Sequence, residues 1–209
     1  MTGVQTCALP IAIGTGATMD YLGQTGRDAL KGADIIKAAP EQYTSTIEYA
    51  DNGIAKYLRD VVRVHTANLG TQIFYTAHGP FDTHFNQPPM HARLWTEVSR
   101  AISDFFDDLR EHDAADNLVM MIFTEFGRRV RDNGTGTDHG AGGGAFIIGD
   151  NVKGGMYGTY PSLTPEDLNQ GDLDPNYDFR GFYSSVIDQW LGLDPVPIVG
   201  GQFEQVQFV

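Results

Sequence analysis

A long segment that begins with two prolines and lies between two apolar runs constrains the fold most. In "PPMHARLWTEVSRAISDFFDDLREH" the apolar residues recur at helical spacing, and Pro88 and Pro89 suit a first turn, which predicts one amphipathic helix. The runs "TQIFYTAHG" before it and "NLVMMIFTEFG" after it are continuously apolar, which predicts buried strands. With a third strand at "GGAFIIGD", the pattern predicts an α/β fold with a mostly parallel sheet.

The flanking segments predict further helices. "NGIAKYLRDVVRVHTANLG" has helical spacing, with Asn52 as a cap and Gly70 as a stop. Near the end, "RGFYSSVIDQWLGL" predicts a helix and "DPVPIVGGQFEQVQFV" an extended arm. Between Gly14 and Ala50 the patchy periodicity predicts one or two short helices that break near Pro40.

The charge balance excludes some classes of partner. The 209 residues carry 27 acidic and 14 basic side chains, a formal net charge of -13, which repels nucleic acid and anionic lipid. No run approaches the roughly 18 apolar residues of a membrane helix. We therefore expect no nucleic-acid partner and no membrane span.

The first eleven residues, "MTGVQTCALPI", resemble a translated sequencing adapter. We expect Met1–Ile11 to be an artefact, residues 12–209 to form one domain, and the native start to be missing. Cys7, the single cysteine, then says nothing about redox compartment. A short native strand with a buried cysteine is the alternative.

Carboxylates and imidazoles gather near the ends of the predicted strands. Asp82 and His84 follow the first strand, Glu125 follows the second, and Asp138 and His139 precede the third. Ligands of α/β sheets bind where such strand ends meet, and these side chains ligate divalent metal ions such as zinc, manganese, iron or calcium. The sequence therefore predicts a metal site in which the ion makes a glycine-rich loop rigid.

Each of these residues also has a structural interpretation. Asp82 suits a cap of the turn before the proline-started helix. Glu125 suits an ion pair with Arg128 or Arg129, and 138–139 suits a solvated turn.

Other catalytic motifs are missing. The pattern G-x-G-x-x-A in "GAGGGA" runs into a predicted strand rather than a helix, which argues against a dinucleotide site. No G-x-S-x-G elbow is present, so an esterase has no nucleophile.

The stretches "FDTHFNQ", "TEFGRRVRDNGTGTDHG", "VKGGMYGTYPSL" and "DFRGFYSSVIDQWLGLDP" resemble, in order, the C-terminal half of the bacterial domain-of-unknown-function family numbered 1501. That family is related to the sulfatase and alkaline phosphatase superfamily. The resemblance covers the chain from Asn52 to its end. It implies part of a three-layer α/β sandwich, a metal-dependent phosphate or sulfate ester hydrolase, and twin-arginine export to the periplasm or the exterior.

Carried over by position, Asp82 and His84 match an Asp–His ligand pair, Glu125 takes the place of an aspartate, and His139 matches a late ligand. Phe126 stands where the superfamily has a histidine for a second metal, so the chain departs from a two-metal site. Three further residues are expected to surround the ligands or to contact substrate: His78, Arg128 and Asp138.

Two functions follow. The first is a metal-dependent hydrolase of a small anionic ester, which the retained ligands favour. The second is a non-catalytic exported module that binds carbohydrate or a protein partner, which Phe126 favours. Because residues 12–209 offer no serine or threonine at a strand-to-helix turn beside the ligands, the nucleophile is expected upstream and this chain is expected to be inactive.

Deleting Met1–Ile11 is expected to leave the free energy of unfolding unchanged, because a foreign segment has no matched surface to bury. Chemical denaturation of the full and shortened chains measures this. A loss of more than about 2 kcal/mol would show that the segment packs like a native core element.

Overall fold

The computed structural model describes residues 16–38 and 43–209, without the side chains of 34–38. The expectations about Met1–Ile11, Cys7 and a break near Pro40 lie outside these residues. The described residues divide into two compact units. One runs up to Thr44 and includes Asp60–Phe74, and the other joins Ser45–Arg59 to Tyr75–Val209.

The first unit contains one long helix, α1 (Ala17–Ala38), where the sequence predicted one or two short ones. It also contains the second part of α2 (Gly53–Thr66), which buries Val61 and Val62. The predicted cap of α2 is confirmed, because the backbone N–H of Ala55 donates to Asn52 Oδ1 at 3.0 Å. The helix ends before Gly70, whose φ of 77° lies in the left-handed region that favours glycine.

The core of the second unit is built on α3 (Gln87–Glu111), the predicted amphipathic helix, with both prolines in its first turn. One face of α3 is buried, and its buried apolar residues are Leu94, Val98, Ala101, Phe105, Phe106 and Leu109. The C-terminal end of α3 also forms hydrogen bonds with the segment that precedes α2. The Tyr49 hydroxyl donates to Asp108 at 2.8 Å, and the Thr46 N–H donates to Glu111 at 3.0 Å.

Two small antiparallel sheets accompany this helix. β1 (Met120–Ile122) pairs with β4 (Phe146–Ile148), and β2 (Gly127–Asp132) pairs with β3 (Thr137–Gly140). The mixed α/β character is therefore confirmed. The two apolar runs of β1 and β4 were identified correctly, but among the described residues they do not form the predicted parallel sheet or a three-layer sandwich. An apolar run indicates burial, and it carries no information about strand direction.

Two local predictions are wrong. Residues 71–79 form neither strand nor helix, although exposed and half-buried positions alternate along 73–78. Asp138 and His139 lie in strand β3, not in a flexible loop. The glycines permit close backbone packing here, because a Cβ on Gly140 would lie 2.5 Å from the Arg128 carbonyl carbon, and one on Gly127 would overlap Gly142 O.

The C-terminal segment packs on α4 (Phe179–Gln189), the predicted late helix, which Asp178 caps. A short helix, α5 (Val196–Val199), follows, and residues 201–209 have no regular structure beyond a bend. The Gln189 amide donates to Val206 O at 2.7 Å and accepts from the Phe208 N–H at 3.1 Å. These bonds satisfy a buried backbone much as a neighbouring strand does. Of the helices in the described ranges, none has the length and apolar character needed to cross a membrane.

Gln189→Ala is expected to lower the free energy of unfolding by about 1–3 kcal/mol, because it leaves a buried backbone N–H and C=O unpaired. Chemical denaturation measures the change. Gln207→Ala, the same substitution at an exposed position of the same segment, is the control and should stay within about 0.5 kcal/mol. Equal losses in the two variants would contradict the role of the Gln189 amide.

Candidate metal centre

Two segments that are distant in sequence meet beside the first turn of α3. These are the turn Phe81–Gln87 and the hairpin formed by β2 and β3. The Gln87 N–H donates to Thr135 O at 3.0 Å, and the Asn133 amide donates to His84 O at 2.9 Å. A Cβ on Gly136 would lie 2.8 Å from His84 O, so the hairpin approaches this closely only because position 136 is glycine.

This contact brings one carboxylate and two imidazoles together. Asp82 Oδ1 lies 2.7 Å from His139 Nε2 and 2.8 Å from His84 Nε2. The two rings lie 4.9 Å apart between centroids, and the three donor atoms lie within 4.8 Å of one another. In the described part of the chain, this is the one cluster of histidine, cysteine and acidic side chains with spacing suited to a metal ion.

The three side chains are accessible to solvent, with exposed fractions of 58% for Asp82, 44% for His84 and 43% for His139. A carboxylate only accepts hydrogen bonds, so the His139 Nε2 carries the proton in its bond to Asp82. A metal ion at the same place takes the lone pair of that nitrogen and displaces the proton. Proton and metal therefore compete for the same atoms.

Asp138 supports His84 from the other side of the ring. Its Oδ1 lies 3.0 Å from His84 Nδ1 and also accepts from the Asn133 amide at 3.4 Å. With Nδ1 held by a carboxylate, Nε2 faces Asp82. This is the arrangement in which a second carboxylate orients a metal-binding histidine.

The histidines lower the pKa of both carboxyl groups. The hydrogen bond from His139 is the main cause of the lowered pKa of Asp82, and desolvation opposes it. The hydrogen bond from His84 is the main cause for Asp138, with a further contribution from Asn133. Both groups are therefore ionised in the form that attracts a cation.

The family whose sequence pattern fits this chain is described as a protein of unknown function (DUF1501), and the fit covers residues 33–194. The chain belongs to the DUF1501 family. No curated protein and no solved structure matches it. Asp82, His84, His139 and Asp138 all lie inside the matched range, so the candidate site belongs to the part of the chain that defines DUF1501 membership.

The remaining predicted residues of the DUF1501 chain lie elsewhere or act differently. Glu125 is exposed and is not a member of the cluster. Its proposed ion-pair partners are engaged with other groups, because Arg129 pairs with Asp172 at 3.6 Å and Arg128 donates to backbone carbonyls. His78 lies 3.4 Å from Glu97 and has no place in the cluster.

Sequence reasoning missed the hairpin that carries Asp138 and His139. The Asn-Gly pair at 133–134 is a signal for a tight turn between strands and could have indicated it. The Asn133 side chain accepts from the N–H groups of Thr135 and Gly136, which closes the turn. No comparable signal indicates that this hairpin packs against His84.

Phe126 covers one face of the His139 ring. The two rings are stacked, with centroids 3.8 Å apart and planes 10° apart. Position 126 drew attention in the sequence because the superfamily that this chain resembles has a histidine there. The structure shows that the aromatic ring instead limits the orientations open to His139.

His139→Ala is expected to raise the pKa of Asp82 towards 3.8, its ordinary value, because it removes the main cause of the lowering. His84→Ala should do the same for Asp138. The titration of carboxyl carbon resonances by NMR measures both. A lowered pKa in the folded state means that the stabilisation is present above the unfolded pKa and is lost as the pH falls through the folded pKa.

Asp178 is the internal control for this titration. Its pKa is about 2 because Arg180 donates to it, and neither histidine variant should change it. Unchanged values for Asp82 and Asp138 in the variants would contradict the contacts described here.

Proposed function

We propose that the chain binds a divalent cation at Asp82, His84 and His139, and that this ion serves the hydrolysis of phosphate or sulfate esters in the intact DUF1501 fold. The observation that carries the proposal is the convergence of three donor atoms within 4.8 Å from two segments separated by α3 and β1.

The donor set suits zinc or manganese. Two imidazole nitrogens and one carboxylate oxygen are typical of sites for these ions, whereas calcium takes six or more oxygen ligands. The second carboxylate, Asp138, orients His84 for this purpose. Because the three side chains are partly exposed, a bound ion keeps positions for water or for an oxygen of the substrate.

A metal ion in this place supplies charge for binding the anionic ester and for stabilising the transferred group. The chain's own residues hold the ion and orient it towards solvent. Thr83, the hydroxyl nearest to Asp82 in sequence, is only 3% exposed and contacts the Gln87 amide at 3.2 Å, so it is not available as a nucleophile. We therefore expect metal binding without appreciable turnover.

The finer features of the family relation are part of the same proposal. They are the three-layer sandwich with a mostly parallel sheet and twin-arginine export to the periplasm or the exterior. The sequence resemblance described above supports them.

A second candidate is a non-catalytic module that binds carbohydrate or a protein partner. Phe126 favours it, because an aromatic ring stacked on His139 stands where a second metal ligand is expected. An open groove of about 450 Å³ begins at Phe85, the residue after His84. It is lined by Phe85, Asn86, Pro88, Pro89, Asp132, Gly134 and Thr135.

Isothermal titration with zinc and with manganese at neutral pH tests the ion site. His139→Ala and His84→Ala should each weaken binding by more than about tenfold, because each removes one of three ligands. His65→Ala, a histidine of α2 outside the cluster, is the matched control and should bind like the parent chain. Binding should weaken on acidification, since protons compete for the imidazole nitrogens.

An identical affinity in all four chains would show that the cluster is not the site. Hydrolysis of 4-nitrophenyl phosphate and 4-nitrophenyl sulfate forms a separate arm. The chain should be no faster than the same metal in buffer. Robust turnover that His139→Ala abolishes would show a complete enzyme and contradict the expected inactivity.

A further inference from the structure

Arg128 joins the two segments that carry the cluster. Its Nη1 donates to Thr137 O at 2.6 Å, and its Nη2 donates to Phe81 O at 2.6 Å. Thr137 directly precedes Asp138 and His139, and Phe81 directly precedes Asp82. One guanidinium group therefore binds the backbone one residue before Asp82 and two residues before His139.

The surroundings of these bonds are half-buried. Nη2 of Arg128 also lies 3.4 Å from the buried Thr83 hydroxyl. The Gln87 side chain links the same two segments, because it donates to Thr83 O at 2.8 Å and accepts from the Thr137 hydroxyl at 2.9 Å. Hydrogen bonds in such an environment resist competition from water, so they define the separation of the segments.

Arg128 also contacts the aromatic ring that orients His139. Its Cζ lies 5.1 Å from the Phe126 centroid, and Phe126 stacks on His139. The same side chain thus supports the backbone of both segments and one ligand ring.

Charge alone does not explain an arginine here. Among the described residues, the recorded hydrogen bonds of its guanidinium go to carbonyl and hydroxyl oxygens, and no carboxylate forms an ion pair with it. A positive charge close to a cation site opposes cation binding. Each Nη atom instead donates to a backbone carbonyl oxygen of one of the two segments.

We infer that Arg128 is a positioning residue whose two backbone hydrogen bonds set the distance between the segment of Asp82 and His84 and the strand that carries His139. This inference rests on the proposed ion site. Lysine cannot replace arginine in the role, because a single ammonium group does not reproduce the planar fork that reaches two carbonyls.

Titration of zinc into Arg128→Ala, Arg128→Lys and Arg129→Ala tests the inference. Arg129 is the matched control, because it is the next residue of β2, carries the same charge and pairs with Asp172 instead. Both Arg128 variants should bind zinc at least about tenfold more weakly, as for other residues that orient ligands. Arg129→Ala should bind equally well or more tightly, because it removes a positive charge. A few millimolar guanidinium should restore part of the affinity of Arg128→Ala.

Two results would overturn the inference. One is an affinity in Arg128→Ala equal to or above that of the parent. The other is full affinity in Arg128→Lys, which would assign the effect to charge rather than to the two hydrogen bonds. If circular dichroism shows that Arg128→Ala does not fold, the zinc affinity of the folded Arg128→Lys variant decides between the two explanations.

A metal-free measurement separates this inference from the ion site itself. The stack on Phe126 shifts the His139 ring protons upfield in the NMR spectrum, and Arg128→Lys should reduce that shift while Arg129→Ala retains it. If the parent chain binds no ion, the proposed function fails. The positioning role is then tested only by the chemical shift of the His139 ring protons in the Arg128→Lys variant. An unchanged shift in Arg128→Lys overturns that role.

Discussion

The candidate metal centre depends on the close contact between the β2–β3 hairpin and the turn Phe81–Gln87. Backbone groups of both segments bond directly to each other, and glycine at position 136 permits a separation that a Cβ would prevent. Every donor atom of the cluster belongs to one of these two segments. The geometry of the site is therefore a consequence of backbone packing, and the ligand side chains follow from it.

The contacts that hold the β2–β3 hairpin against the turn Phe81–Gln87 differ from the contacts among the three cluster side chains. Ion pairs between exposed side chains contribute at most about 1 kcal/mol each, so the contacts of Asp82 with the histidines stabilise the fold little. The half-buried hydrogen bonds of Arg128 and Gln87 lie behind them and fix the segments. The three donor side chains therefore lie at the surface of a contact that other groups hold together.

Membership of the DUF1501 family places this cluster in a family without an established activity. Phe126 is the residue that most restricts the geometry of this cluster. Its ring stacks on His139 at 3.8 Å and therefore covers one face of one of the three side chains. The Thr83 hydroxyl, next to Asp82 in sequence, is buried and therefore not accessible from the cluster's exposed side.

The sequence by itself determined helix α3, its buried face and the apolar runs of β1 and β4, because these depend on local periodicity and on burial. It also indicated Asp82, His84 and His139, because residue type decides which side chains ligate metals. Only the tertiary structure decided that β1 and β4 pair antiparallel, that Asp138 and His139 lie in a hairpin strand, and that Glu125 stays outside the cluster. Strand direction depends on how distant segments pair, and the meeting of the hairpin with His84 depends on long-range bonds such as those of Arg128, so local sequence encodes neither.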